Sequence, residues 1–269
     1  MKALWSRAGK SLIVLLLIVV SFLFSGFTSE MPALKAVTNL SLSRLHVLSS
    51  LNVLSLGDSA ARLDLLYDNL GLGNLELSRK AFQSAVWGFL TLQLNGQVHN
   101  PDVLSIVDFS LPSTKKRLFV IDMLNGRLLF NTLVAHGRNS GQLMATRFSN
   151  RDNSLMSSLG FYLTGDPFIG QHGYSLRLQG AEKGWNDHAW QRAIVLHSAD
   201  YVSEEHIREW GTLGRSEGCP AVPEEMNGAI IDEIKGGSCL FVYAANQRYL
   251  RRSELTAAAA NPGVDSNGG

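Results

Sequence analysis

The sequence predicts a mainly β domain, twisted and sandwich-like with short helices, preceded by a small helical region. Three observations carry this. Apolar residues fall at helical spacing up to about residue 98, and from Asp102 onward they fall in short strand-like runs. Glycine then recurs at 137, 141, 160, 165, 170, 173, 180 and 184, as the bends and loop corners of a twisted sheet require.

The helical region covers residues 29–98. Leu45, Leu48 and Leu51 begin the stripe, and Leu63, Leu66, Tyr67 and Leu70 share one face over 59–70. Asp58 or Ser59 caps that helix and Gly71 ends it. Leu77, Phe82, Ala85, Val86 and Phe89 form the next face, over 76–92. Stripes of this kind belong to a core.

The sheet domain covers residues 99–248. Strands are expected at Val103–Phe109, Arg117–Asp122 and Arg127–Ala135, with Asn125-Gly126 as a two-residue hairpin turn between the last two. Ser203 caps a helix from Glu204 to Trp210, with acids in its first turn. Pro223 opens another, which carries Met226, Ile230 and Ile234 inward and closes at Gly236-Gly237. The last strand is Cys239–Ala244, and residues 249–269 are expected to be a disordered tail.

The start of the chain predicts export. Three positive charges, Lys2, Arg7 and Lys10, precede an apolar run from Leu12 to Phe24, the pattern of a signal peptide or signal anchor over residues 1–28. The run is short for a span, which favours the signal peptide over an N-terminal membrane anchor. No cysteine follows it, which argues against a lipid-modified leader. The expected location is the periplasm or cell envelope. A net charge of +1 gives no electrostatic case for nucleic acid. The substrate is therefore expected to be neutral, zwitterionic or recognised by shape.

The chemistry concentrates in two segments. His197 ends the apolar strand Ala193–Ser198, with Val195 and His197 on one face and Ile194 and Leu196 on the other. A helix later comes Gly214-Arg215-Ser216-Glu217-Gly218-Cys219-Pro220. A thiol is a strong nucleophile only as thiolate, and an imidazole can take its proton. Gly218 lets the backbone approach a substrate, and Pro220 keeps Cys219 out of a helix interior. In an exported protein the two cysteines, Cys219 and Cys239, also admit a disulfide. Their settings differ: Cys239 lies in a buried strand, Cys219 in a glycine turn that displays it, so a free Cys219 is expected. Seven histidines raise the question of a metal. There is no HExxH and no clear helical ligand pair, so neither metal nor cofactor is expected.

These segments resemble the peptidoglycan L,D-transpeptidase catalytic-domain family. Its signature is a histidine on a strand, followed by a Ser/Thr-His-Gly-Cys element; His197-Ser198 and Ser216-Glu217-Gly218-Cys219 stand in those places. A divergent branch matches at greater length, through Asp108-Phe109-Ser110, Val134–Gly141, Phe148-Ser149-Asn150, Ser157–Gly160, Ser175–Leu178, Ala199–Ser203 and the Gly-Arg-Ser-x-Gly-Cys-Pro-Ala motif. The resemblance implies a Cys219 thioester on peptidoglycan stem peptides, with His197 as base, the Ser198 carbonyl orienting it, and the N–H groups of Gly218 and Cys219 as oxyanion donors. The product would be a new cross-link (transpeptidase) or a trimmed stem (L,D-carboxypeptidase).

Two departures mark this chain. The histidine usually found two residues before the cysteine is Glu217, expected to point outward or to pair with Arg215, and the polar position after it is Ala221-Val222. Arg215 and Ser216 are candidates for substrate binding, with Arg215 the better carboxylate partner. His136, Arg138 and Asn139 read either as a cleft wall or as a turn network. His172 reads as site-lining or loop-structural, and Arg177 as a carboxylate ligand or a salt-bridge member. Trp185, Trp190 and Trp210 are candidate sugar-facing rings or core. A sortase-like enzyme is ruled out by the glycine turn at the cysteine. The rival of a different class is a non-catalytic envelope protein that keeps the fold and binds murein.

Overall fold

A computed structural model describes residues 56–256 of the chain. The apolar N-terminal run, the leucine-rich stretch before Leu56 and the residues after 256 lie outside the described residues.

Two helices come first, α1 (Leu56–Asn69) and α2 (Arg79–Leu94). Ser78 caps α2, its hydroxyl accepting the Ala81 N–H at 3.3 Å, which satisfies a donor that the first helical turn leaves open. The inward face is Phe82, Ala85, Val86, Phe89 and Leu92, all buried. At Gly88 the helix lies so close to the Phe161 ring that a Cβ would have no room.

The strands are β1 (Val103–Asp108), β2 (Leu118–Asp122), β3 (Arg127–Thr132), β4 (Gly160–Gly170), β5 (Gly173–Gly180), β6 (Val195–Ser198), β7 (Ala221–Val222) and β8 (Cys239–Tyr243). They form one mixed sheet in the order β3-β2-β1-β8-β4-β5-β6-β7. β1 pairs with β8 and β6 with β7 in parallel; the other pairs are antiparallel. Beyond β3 the chain returns to the opposite edge, where the Ala135 N–H donates to Ala221 O at 2.8 Å. That bond brings the two sheet edges together, so the mainly β domain is one sheet nearly closed into a barrel.

Strands β1, β2 and β8 are buried along their whole length, as continuous apolar runs covered on both faces require. The covers are α2 against β1 and β8, and helix α4 (Glu224–Ile234) against β1, β5 and β6. A single buried cluster runs from Leu63 on α1 to Leu250 near the C-terminus. The helical region expected as a separate unit up to residue 98 therefore shares the core of the sheet, at least from α1 onward.

Two further expectations change. The β2–β3 loop is four residues, 123–126, because Asp122 pairs with Arg127 across the strand ends. The Asp122 carboxylate accepts from the N–H and side chain of Asn125, both at 2.9 Å. The tail does not begin at 249 either: residues Gln247–Arg252 form helix α5, with Tyr249 and Leu250 buried. Helix α3 (Glu204–Trp210) starts at its Ser203 cap and ends at Gly211, whose φ is +71°.

Candidate active site

Strand β6 carries His197 and β7 follows Cys219. Their parallel register sets His197 opposite Ala221 and Ser198 opposite Val222. The Gly218-Cys219-Pro220 turn runs straight into β7, so pairing of these two short strands brings the cysteine turn to the histidine. Leu196 is buried in the core, while Val195, His197 and Cys219 line one cavity of about 720 Å³.

His197 Nδ1 lies 2.8 Å from the Ser198 carbonyl oxygen. A carbonyl only accepts, so Nδ1 carries the proton and Nε2 keeps its lone pair. Burial pushes the His197 pKa down; the bond to Ser198 opposes this, and nearby His172 adds to it. The ring is therefore neutral at physiological pH, the form that accepts a proton.

Cys219 is half-buried and free. Gly218 before it has φ +132°, and a Cβ there would meet the Met156 carbonyl oxygen at 2.8 Å, so glycine is required on both counts. Ser216 braces the turn: its hydroxyl accepts the Gly218 N–H at 3.1 Å and donates to the Cys219 carbonyl at 2.6 Å. The Gly218 N–H, expected as an oxyanion donor, is thus already engaged. The thiol sulfur meets the Val195 N–H at 3.5 Å and lies 3.8 Å from Ala193 O, with no hydrogen bond to His197 in this arrangement. Burial raises the thiol pKa most; the Val195 N–H and the Arg192 guanidinium lower it, and Glu217 raises it.

Cys239 lies buried in β8, where burial pushes its thiol well above the usual range. The pair forms no disulfide. Among the described residues no group of three or more His, Cys, Asp or Glu is arranged to hold a metal.

The remaining candidates divide. Arg138, His172, Arg177, Arg215 and Ser216 line the same cavity as Cys219. His172 sits at the tip of the β4–β5 hairpin and stacks on His197, ring centroids 4.2 Å apart. Glu217 is exposed, as expected, but its partner is Arg138 at 2.9 Å and not Arg215. Arg215 instead reaches the carbonyls of Arg138 and Gly141, at 3.4 and 3.3 Å.

His136 and Asn139 do not line that cavity. His136 is fully buried because it follows the segment that closes the barrel. Its Nδ1 accepts from Arg117 at 2.8 Å and its Nε2 donates to Gly141 O at 3.3 Å. Burial and the Arg117 charge push its pKa down to about 4. It is a neutral link in a turn network, not a substrate contact. Asn139 ties the same loop to Ser154 O at 3.0 Å.

Sequence reasoning missed Arg192. Its guanidinium donates to the carbonyls of Ser149 and Met156, at 2.8 and 2.6 Å, and to the hydroxyls of Ser154 and Ser158. It thereby holds the loop 149–158 beside the thiol. The residues before β6 gave no hint of this beyond a lone arginine ahead of an apolar strand. Of the tryptophans, Trp185 packs edge-on against Tyr249, while Trp190 and Trp210 are exposed.

A family model for the L,D-transpeptidase catalytic domain matches residues 74–243. Among solved structures, the chain is similar to an L,D-transpeptidase from Mycobacterium smegmatis, with 14% identity over 53% of this chain and 59% of that one and a TM-score of 0.33. An L,D-transpeptidase from Mycobacterium tuberculosis H37Rv gives 14% identity over 53% and 57%, with a TM-score of 0.35. The helical cell shape determining protein Pgp2 (K307A mutant) from Campylobacter jejuni gives 13% over 64% and 58%, with a TM-score of 0.36. The match thus spans less than two thirds of each of these three chains. No curated protein matches the chain.

Proposed function

The chain belongs to the L,D-transpeptidase catalytic-domain family, and from that premise we propose that it transfers acyl groups between peptidoglycan stem peptides through a thioester on Cys219. The observation that carries the reading is a free thiol on a glycine turn, lining one cavity with a histidine whose Nδ1 is committed to the Ser198 carbonyl. That commitment leaves Nε2 to take a proton.

In the proposed reaction His197 Nε2 accepts the Cys219 proton and the thiolate attacks the carbonyl carbon between the L-centre of diaminopimelate and the terminal D-alanine. The carbon–nitrogen bond then breaks as the imidazolium returns the proton to the leaving D-alanine nitrogen. The thioester passes to an amine of a second stem or to water. With the Gly218 N–H held by Ser216, the oxyanion falls to the Cys219 N–H. One well-placed donor of this kind is worth about 3 kcal/mol. The working compartment, on the N-terminal sequence alone, is the cell envelope.

The test is incubation with defined tetrapeptide muropeptides and resolution of products by mass. Dimers joined through two diaminopimelates identify a transpeptidase, and D-alanine release without dimers a carboxypeptidase. With Cys219 reduced, absence of both product and acyl-enzyme favours a murein-binding protein that keeps the fold.

A further inference from the structure

We propose that the cavity over Cys219 selects stem peptides whose side carboxylates are free rather than amidated, and that Arg177 reads one of them. This rests on the reading that the cavity takes a stem peptide.

The cavity is lined by four arginines, Arg138, Arg177, Arg192 and Arg215, and by a single carboxylate, Glu217. Glu217 is paired with Arg138. The guanidiniums of Arg192 and Arg215 donate hydrogen bonds only to neutral carbonyls and hydroxyls; Asp152 acts on Arg192 through space, without a hydrogen bond. The Arg177 guanidinium has no hydrogen-bond or ion-pair partner among the described residues; its Cζ packs over the rings of Phe168 and Trp190, at 4.5 and 5.0 Å. Three guanidiniums with no hydrogen-bonded carboxylate thus share one concave site, in a chain whose net charge is only +1. A cleft lined by one sign of charge focuses the field on its ligand.

A tetrapeptide stem answers this pattern when its acids are free. It carries a carboxylate on its glutamate, a second on the distal centre of diaminopimelate and a third at its C-terminus. Amidation removes the first two. Arg177 is the one of the three whose donors are not engaged by its own chain. Ring contacts on the guanidinium face leave its in-plane N–H edge for a bidentate carboxylate.

The test is calorimetric binding to the full-length Cys219→Ala protein of two tetrapeptides, one with free and one with amidated glutamate and diaminopimelate carboxylates. The free peptide should bind at least about tenfold tighter, a gap that shrinks with added salt and narrows severalfold in Arg177→Gln. Trp190→Ala, which removes one ring while keeping the charge, should narrow it less. Equal affinities, or a gap unchanged in both variants, would overturn the proposal. Thioester formation on the wild-type chain separates the two readings. A binding gap without thioester removes acyl transfer and leaves carboxylate selection; thioester formed with no gap does the reverse.

Discussion

The His172 ring stacks on the His197 ring, with 4.2 Å between centroids and 21° between planes. One ring comes from the tip of the β4–β5 hairpin and the other from the end of β6. The hairpin thereby holds the plane of the His197 ring, whose Nδ1 is held separately by the Ser198 carbonyl. An aromatic pair of this kind is worth about 0.5–1.5 kcal/mol, so His172→Ala should slow Cys219 acylation by roughly two- to tenfold. His172→Phe should restore the rate, because it keeps the stack. It should also move the acid limb of the pH–rate profile upward, because His172 holds the His197 pKa down. Equal slowing in both variants, with the limb unmoved, would remove the stack from the mechanism.

The charges beside the thiol make a second prediction. Glu217 raises the Cys219 pKa and Arg192 lowers it. Glu217→Gln should therefore speed iodoacetamide alkylation near neutral pH, and Arg192→Gln should slow it. The Glu217 side chain is 74% exposed and screened by solvent, so its effect should be roughly threefold or less. Half-buried Arg192 should count for more. Alkylation profiles that coincide across pH in all three proteins would contradict this.

His136 makes the fold sensitive to acid. Its pKa lies at about 4 in the folded chain against about 6.5 unfolded. The unfolded state binds the proton first. The stability that His136 gives is therefore whole above about pH 6.5 and is lost progressively as pH falls toward 4, by about 3 kcal/mol at most. Thermal melts of the wild type should fall across that window more steeply than those of His136→Gln, which has no ring to protonate. Parallel curves would rule out this histidine as the source.

Glu182 anchors the C-terminal helix. Its buried carboxylate accepts the Phe161 N–H at 2.7 Å, the Tyr249 hydroxyl at 2.8 Å and the Ser253 hydroxyl. Glu182→Ala strands all three donors and should cost about 2–4 kcal/mol. Hydrogen exchange should rise first in α5. Uniform exchange along the chain would show that the anchor is not local.

Local signals made much of this legible. Ser203 opens α3, Pro223 and the Gly236-Gly237 pair bound α4, and strand alternation put His197 on the cavity side. What stayed hidden depends on distant pairing. The burial of His136 follows from the Ala135–Ala221 bridge, which joins segments far apart in sequence. Tyr249 is ordered by Glu182, and the 149–158 loop by Arg192. The glycine-framed His172 admits a site-lining reading, but its local sequence does not distinguish that from a loop-structural one; the stack on His197 does. Immediate neighbours leave His136 open between a cleft wall and a turn network and give Arg192 no role; distant contacts decide both.

In the proposed reaction Cys219 carries the acyl group and His197 serves as its base. Intact-mass measurement after mixing with a tetrapeptide muropeptide, followed by peptide mapping, tests it most directly. A thioester adduct is expected on Cys219 in the wild type, with its loss in Cys219→Ala and its slowed formation in His197→Ala. A reduced Cys219 that forms no adduct, or an adduct that persists in Cys219→Ala, would contradict it.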